Sequence, residues 1–345
     1  MQLQKAPNTT ARINNKDYLF FSGTSYLGVP LLPSFQELVT QSILKWGTSY
    51  GSSRAANLKL EVYQRGEQLL SNFLKTENVV TVSCGTLASQ FALKSLQTLA
   101  DSFYYMPKTH PSILPDDAKP VFKKGLLNSE LKKLENQTIC IVSDAIAALE
   151  TNPFSFDFLS LISVSNTIYL LIDESHSLGV LGKKGNGISS QIQTTENIKM
   201  ITVSSLGKAF GVNGGVIAGS TKFINLVKSD SLFIGCAGMS PAFLEAFVNA
   251  QELYKKQLEK LQKNAAYVYE KIHHLNKVRM SINYPVFFFE DEKIADYLHQ
   301  KNILITSFYY PATTKKINRV VLNANHTTKQ LDVLIHAVLS FKSTF

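Results

Sequence analysis

The sequence has 345 residues, of which 45% are hydrophobic and 18% are charged, an ordinary balance for a globular protein with a substantial core. No apolar run reaches the ~20 residues that a membrane-spanning helix needs, and the N-terminus lacks the apolar stretch of a secretory signal. Cys84, Cys140 and Cys236 are too few and too scattered for a disulfide framework or a zinc site. We therefore expect a cytoplasmic protein that uses no metal.

The formal net charge of +9 permits nucleic acid, acidic membranes or anionic small molecules as partners. The densest basic cluster, Lys255, Lys256, Lys260 and Lys263, has helical spacing, and no nucleic-acid recognition motif accompanies it. A solvated helix face explains this cluster better. We expect no nucleic-acid binding and no membrane insertion, whereas phosphorylated ligands fit the positive charge.

Short apolar runs alternate with helical patterns through the middle of the chain. The helical stretches are residues 61–75 and 87–99, and the strand-like runs are residues 79–83, 138–143, 167–172, 199–204 and 214–219. Their near-continuous apolar character suits strands that are buried on both faces of a parallel sheet. The alternation predicts an α/β fold with helices on both faces of a central sheet.

The pattern changes after about residue 241. Residues 242–275 are typical of one long helix or a broken pair, followed by strand-like runs at 286–290, 303–310 and 318–323 and by helices at 292–300 and from about 327. We predict an N-terminal arm, a large α/β domain and a small α+β domain, with the bounds 1–45, 46–241 and 242–345.

Three motifs follow predicted strands, at the ends where open α/β sheets bind ligands. In the first, Gly85 and Thr86 open a helix, whose free N–H groups can hold a phosphate. In the second, Asp173 ends an apolar run, and a buried carboxylate there requires a positive partner such as a protonated pyridine nitrogen. His176 can reach a phenolic oxygen of the same ring. Ordinary turns and caps explain each motif when it is taken alone.

The third motif, residues 204–211, carries Lys208 between two glycines. A lysine in a cavity can form an imine, and Ser205 adds a hydroxyl to a phosphate site. A Walker-type loop is excluded because no Ser or Thr follows the lysine. His110 offers an imidazole that can stack on an aromatic ring. Because pyridoxal 5′-phosphate (PLP) needs an imine lysine and a carboxylate on its ring nitrogen, the combination predicts a PLP enzyme.

Longer motifs over most of the chain resemble the α-oxoamine synthase family of fold-type I PLP-dependent transferases. They are Ser25-Tyr26-Leu27-Gly28, the glycine-rich stretch 47–54, Glu67, and LIDESHSLGVLGKKGNG followed by SSLGKAFGVNGG. Among the family members, the 8-amino-7-oxononanoate synthases, which serve biotin biosynthesis, are most similar. The resemblance implies a mostly parallel central sheet flanked by helices, a small C-terminal α+β domain, and a homodimer.

The resemblance also implies roles for residues that match the family pattern. Lys208 holds PLP as a Schiff base and later removes the α-proton of the amino acid. Asp173 pairs with the pyridine nitrogen, His176 meets the phenolic oxygen, and His110 stacks on the ring.

Other matched residues hold the phosphate and the substrate. Gly85, Thr86 and Ser205 bind the phosphate, and Arg319 grips the amino acid carboxylate, a task that suits a guanidinium fork. The implied reaction is a decarboxylative condensation of a small amino acid with an acyl-CoA.

Several segments depart from the family pattern: Tyr63 replaces a histidine, Cys236-Ala237 replaces a Ser-Thr pair, and residues 122–125 and 144–151 have lost family contacts. These departures affect acyl-CoA preference more than PLP binding. Two alternatives therefore stay open. One is a fold-type I aminotransferase acting on an amino acid and a keto acid, and the other is a non-catalytic partner subunit, although such subunits typically lack the Schiff-base lysine.

Overall fold

Strands form at every apolar run singled out in the middle of the sequence, and further strands precede and follow them. The computed structural model describes residues 2–309 and 316–341. Its strands are β1 (Thr10–Ile13), β2 (Lys16–Phe21), β3 (Asn78–Val82), β4 (Ser102–Tyr105), β5 (Lys119–Pro120), β6 (Phe122–Lys123), β7 (Leu126–Leu127), β8 (Thr138–Asp144), β9 (Thr167–Asp173), β10 (Ile198–Ser205), β11 (Gly215–Gly219), β12 (Val278–Arg279), β13 (Val286–Phe289), β14 (Ile303–Tyr309) and β15 (Lys316–Val321).

The helices alternate with the strands in the middle of the chain and dominate after residue 220. They are α1 (Pro33–Trp46), α2 (Glu61–Leu74), α3 (Gly85–Gln97), α4 (Ser129–Lys133), α5 (Thr221–Ser229), α6 (Ser231–Gly235), α7 (Pro241–Asn249), α8 (Gln251–Ile272), α9 (Ile294–Gln300) and α10 (Thr328–Leu339). None of these described helices has both the length and the apolar character needed to cross a membrane.

The chain forms two units, and the larger one comprises Pro33–Gln251. Its seven-stranded sheet has the order β3-β11-β10-β9-β8-β4-β5. Strand β11 is antiparallel to both of its neighbours, whereas β10, β9, β8, β4 and β5 run parallel. The sheet is therefore mostly parallel, as the alternation of strands and helices predicted.

Both faces of this sheet are covered by apolar side chains. Along β8, Cys140 and Val142 belong to one buried cluster, whereas Ile139 and Ile141 belong to the other. Successive side chains of a strand point to opposite faces, so the continuous apolar run supplies both clusters at once. Both faces of the sheet are therefore shielded from water, and the carboxylates Asp144 and Asp173 lie at strand ends.

The smaller unit comprises Met1–Leu32 and Glu252–Phe345. Its six-stranded sheet has the order β1-β2-β14-β15-β13-β12, in which β2 and β14 are parallel and the other pairs are antiparallel. The smaller unit therefore has the α+β character that was predicted for the C-terminal region, and its sheet also contains two strands from the beginning of the chain.

The unit boundaries differ from the predicted domain bounds at residues 45/46 and 241/242. Strand β2 hydrogen-bonds to β14, which assigns the first 32 residues to the smaller unit. Helix α7 packs against α1 and α2, which keeps the chain in the larger unit until Gln251. The predicted helix at 242–275 is a broken pair, with the break at Ala250 between α7 and α8.

His326 fastens the turn after β15 to strand β2 within the smaller unit. Its Nδ1 accepts a hydrogen bond from the N–H of Asn323 at 2.9 Å, and its Nε2 donates to the carbonyl of Phe20 at 3.0 Å. The ring also stacks on Phe21, with 4.2 Å between centroids. The neutral imidazole thus satisfies both nitrogens, and burial lowers the pKa of His326 to about 4.

We expect this histidine to make the protein sensitive to mild acid. The unfolded chain binds a proton at the ordinary histidine pKa of 6.5, whereas the folded chain does so only near pH 4, so stability falls as the pH decreases between these values. The free energy of unfolding, measured by urea titration, should fall by about 2 kcal/mol between pH 7 and pH 5 because of this group.

The variant His326→Gln should remove this part of the pH dependence, even if its stability at pH 7 is lower. His336→Gln is a matched control because His336 is exposed on α10. A His326→Gln protein that keeps the full wild-type loss between pH 7 and pH 5 would contradict the assignment.

Candidate active site

The carboxyl ends of β8, β9 and β10 meet at one edge of the sheet in the larger unit. The backbone register aligns Ser205 with Gly215, Val203 with Asp173, and Asp173 with Asp144. Open α/β sheets bind their ligands outside this edge. The register therefore brings the polar residues that end these strands into one row.

The amino terminus of α3 lies beside this row. Cys84 precedes the helix in an extended conformation and makes no side-chain capping bond, so the first N–H groups of the helix lack a side-chain cap. Gly85 packs against β10, since a Cβ at this position would lie 2.6 Å from the Cβ of Ser205 and 2.9 Å from its Cα. Thr86 is exposed next to it. Gly85, Thr86 and Ser205 thus surround a helix start that can donate hydrogen bonds to an anion.

Asp173 is buried at the end of β9, with 8% of its surface exposed. Its Oδ1 accepts a hydrogen bond from the N–H of Ser175 at 2.8 Å, and the hydroxyl of Ser175 accepts one from the N–H of Ser205 at 2.8 Å. These bonds connect the loop after β9 to the end of β10. His176 follows in the same loop and is half-buried.

Glu174 holds this loop in place, a role that the sequence did not reveal. The side chain is fully buried, and burial raises the pKa of the Glu174 carboxyl. It accepts hydrogen bonds from the N–H groups of Ile188 at 2.8 Å and Ser189 at 2.6 Å, and from the hydroxyls of Ser177 and Ser189. One carboxyl therefore ties the segment 177–189 to the strand end that carries Asp173.

Lys208 lies in the turn after β10 and is half-buried. The turn is closed by a hydrogen bond from the N–H of Leu206 to the carbonyl of Gly214 at 2.9 Å. Gly211 has a positive φ of 67°, which a glycine adopts without strain. Burial raises the pKa of Asp144 at the end of β8, and the positive charge of Lys208 opposes that shift.

His110 is joined to the site through its main chain. The loop after β4 carries His110, whose N–H donates to Oδ2 of Asp144 at 2.7 Å. Its exposed ring contacts the hydroxyl of Ser112 through Nδ1 at 2.8 Å, and the same nitrogen accepts from the N–H of Ser112 at 3.1 Å. The imidazole is therefore oriented at both its backbone and its ring.

Asp144 is a second site carboxylate that the sequence left without a role. It is buried at the end of β8, 4% exposed, directly beside Asp173 in the register. Burial and then the neighbouring Asp173 raise the pKa of Asp144 to about 8, although Lys208 opposes the shift. The signal that could have found it is the apolar run TICIVSD, which ends in aspartate as TIYLLID does.

A partly buried ion pair lies near the start of the larger unit. Arg54 bonds to Glu67 at 2.8 Å, and Glu67 accepts from the N–H of Thr81 at 2.7 Å. Tyr63, which replaces a family histidine, lies under the guanidinium of Arg54 at 3.7 Å and donates to the carbonyl of Met239 at 2.7 Å. The Tyr63 hydroxyl therefore has a hydrogen-bond acceptor, and its ring packs against a cation.

Arg319, the predicted carboxylate-binding residue, lies on β15 of the smaller unit. Its charge acts on two buried tyrosines of that unit, Tyr26 and Tyr284, which hydrogen-bond to each other. Burial raises the pKa of both hydroxyls, whereas Arg319 lowers it. Within the described residues, the buried Nε of Arg319 has no hydrogen-bond partner and is available to an acceptor.

Comparisons with known proteins agree with this architecture. The chain is 26% identical to the 8-amino-7-oxononanoate synthase of Petrotoga mobilis, with 96% of this chain and 90% of that protein covered. It is 25% identical to the serine palmitoyltransferase of Sphingobacterium spiritivorum, with 98% and 90% covered. Both are α-oxoamine synthases, so the predicted resemblance is confirmed.

Two solved structures confirm the fold-type I fold. The serine palmitoyltransferase of Sphingomonas wittichii matches with a TM-score of 0.82 at 18% identity, covering 97% of this chain and 90% of that chain. A serine palmitoyltransferase variant from S. paucimobilis with bound PLP–myriocin matches with a TM-score of 0.80 at 18% identity and the same coverage. The sequence family described as "Aminotransferase class I and II" matches residues 127–338. The chain therefore belongs to the class I and II aminotransferase family.

Proposed function

We propose that this protein is a PLP-dependent acyltransferase of the α-oxoamine synthase type. It would condense a small amino acid with an acyl-CoA, releasing CoA and CO₂. The observation that carries the proposal is the single sheet edge that holds Lys208, two buried carboxylates and the uncapped start of α3. Relatives over nearly the whole chain support the reaction type.

The residues at this edge fit PLP in charge and in shape. The uncapped N–H groups at Gly85 and Thr86, with the Ser205 hydroxyl, suit a phosphate, and the close packing of Gly85 on Ser205 leaves no room for a side chain there. The buried carboxylate of Asp173 suits a protonated ring nitrogen. When bound, PLP supplies an electron sink for the charge that develops at the α-carbon.

Each predicted residue has a task in this scheme. Lys208 would hold PLP covalently through its ε-amine and would accept the proton of the α-carbon, which a nearby amine in its neutral form can do. Asp173 would keep the ring nitrogen protonated, and His176 would donate to the phenolic oxygen. His110 covers the ring, and Arg319 holds the substrate carboxylate through its fork of N–H donors.

An aminotransferase is the second candidate, and the family description favours it. That description names aminotransferases and matches residues 127–338. The synthase reading is preferred because relatives named as synthases or as a palmitoyltransferase align over at least 96% of the chain. The two reactions differ in their products, since only the synthase releases free CoA.

We also propose that the protein acts in the cytoplasm. Its three cysteines are all free thiols, and Cys84 is exposed beside the proposed phosphate site. Free thiols persist in reducing compartments, whereas oxidising ones favour disulfides.

The reaction is tested by mixing the purified protein with PLP, one of glycine, alanine or serine, and a panel of acyl-CoAs. Free thiol should appear only when an amino acid and a thioester are both present. Formation of an amino acid and keto acid pair without CoA release would instead support the aminotransferase. The proposal would be contradicted if the purified protein binds no PLP and catalyses neither reaction.

The variant Lys208→Ala should lose turnover by at least about a thousandfold because it removes both the Schiff-base amine and the base. Borohydride should attach reduced PLP to the wild-type protein at Lys208 and leave the variant unlabelled. Lys199→Ala is the matched control, since Lys199 is exposed at the opposite end of β10. Equal labelling of wild type and Lys208→Ala would overturn the assignment.

The variant Gly85→Ala should weaken PLP binding by about tenfold or more. Its Cβ would meet the Cα of Ser205 at 2.9 Å, so the helix start must move away from β10. Absorbance titration of the apo protein with PLP gives the dissociation constant. The matched control is Gly219→Ala. Gly219 is the last residue of β11, and a Cβ there would meet nothing closer than 3.4 Å. Unchanged affinity in Gly85→Ala would contradict the phosphate site.

We further propose that the protein is a homodimer. The larger unit exposes Leu58, Leu232 and Ile234, large apolar side chains near a groove of about 700 Å³ lined by Arg54 and Tyr63.

Sedimentation should give twice the chain mass of 38.4 kDa. Leu58→Arg with Ile234→Arg should shift the protein to a monomer, because burying two guanidinium groups is costly. Val164→Arg, at an exposed residue of the same unit, should not.

A further inference from the structure

Asp144 and Asp173 form a pair of buried carboxyls at the ends of adjacent parallel strands. They are direct partners in the register of β8 and β9, and 4% and 8% of their surfaces are exposed. Register partners in a parallel sheet project to the same face. The proposed function gives Asp173 a partner on the ring nitrogen, but it leaves the task of Asp144 undefined.

The hydrogen bond of Asp144 identifies that task. Its Oδ2 accepts from the N–H of His110 at 2.7 Å, across 34 residues of sequence. Pro111 fixes the next φ, and Ser112 holds the ring nitrogen, so the direction of the imidazole follows from where Asp144 fixes the main chain. A buried hydrogen bond of this kind is electrostatically stronger than an exposed one.

The surroundings of Asp144 favour a hydrogen-bonding role over a second negative charge. The titratable groups that act on it are Asp173 from β9 and Lys208 from the turn after β10, whereas His110 meets it through its main-chain N–H. Burial and the Asp173 carboxylate raise the pKa of Asp144 to about 8, so it carries a proton near neutral pH. A neutral carboxyl still accepts the N–H of His110 through its carbonyl oxygen, so the bond at 2.7 Å does not require a charge on Asp144.

We propose that Asp144 is a positioning residue, which fixes the main chain at His110 and thereby holds the imidazole in the orientation that covers the PLP ring. The inference rests on the proposed function, because it assumes that PLP occupies this edge. It assigns Asp144 an effect on cofactor affinity that passes entirely through His110.

A double-mutant cycle on PLP affinity tests this route. Asp144→Ala and His110→Ala should each raise the dissociation constant for PLP by about tenfold, since each loses the ordered ring contact. If Asp144 acts through His110, the double variant should also bind about tenfold more weakly. Independent effects would instead multiply to about a hundredfold, and that result would overturn the proposal.

Two further variants separate positioning from general stability. Asp144→Asn keeps an amide oxygen for the His110 N–H and should bind PLP within about threefold of wild type. Asp101→Ala is the matched control. Asp101 accepts a hydrogen bond from the N–H of Thr138 at 2.8 Å, and Thr138 begins strand β8, which Asp144 ends. It should change thermal stability of the apo protein without changing PLP affinity. A tenfold loss in either variant would contradict the positioning role.

The outcomes also distinguish this inference from the proposed function. If the wild-type protein binds no PLP, both the proposed function and the positioning role are contradicted. If Asp144→Ala binds PLP normally, only the positioning role is contradicted. If Asp144→Ala does not fold, Asp144→Glu replaces it, since one added methylene displaces the acceptor. Its effect on PLP affinity should then vanish in the His110→Ala background, and persistence there would contradict the proposal.

Discussion

The structure of the larger unit depends on one constraint: carboxyl groups that end strands in a doubly covered sheet must find hydrogen-bond donors away from water. Asp173, Glu174 and Asp144 meet this constraint with main-chain N–H groups at Ser175, at Ile188 and Ser189, and at His110. An unpaired buried carboxyl would cost several kcal/mol. The loops after β4 and β9, which supply these donors, are therefore held at the edge where the chemistry is proposed.

The sequence predicted the central sheet and the proposed catalytic lysine because both depend on local patterns. Continuous apolar runs mark buried strands; Asp173 ends one of these strands, and Lys208 lies in the turn after another. The role of Asp144 stayed hidden because its donor lies on a different loop, and nothing local links the two positions. The place of β2 in the sheet stayed hidden for the same reason, since β2 pairs with β14 at the other end of the chain as well as with its hairpin neighbour β1.

A departure from the family pattern is explained by its neighbours. Tyr63 stands where a histidine is usual, yet its hydroxyl donates to Met239 and its ring supports Arg54. A Cβ on Gly238 would lie 2.9 Å from Cδ of Arg54 and 3.2 Å from the Tyr63 hydroxyl, so the segment beside it is closely fitted. The larger tyrosine and the small residue at 238 are thus matched, and the ion pair between Arg54 and Glu67 is retained.

The pairing of β2 with β14 has a consequence for biosynthesis. The larger unit is one continuous segment, Pro33–Gln251, and it can collapse while the ribosome is still adding the remaining residues. The first strands leave the exit tunnel earliest but remain without their sheet neighbour until residue 303 and beyond have been translated. At about 5–20 residues per second, that delay lasts for many seconds. During this interval the edge of β2 in the hairpin is unpaired, and a chaperone that binds it would prevent pairing with other chains.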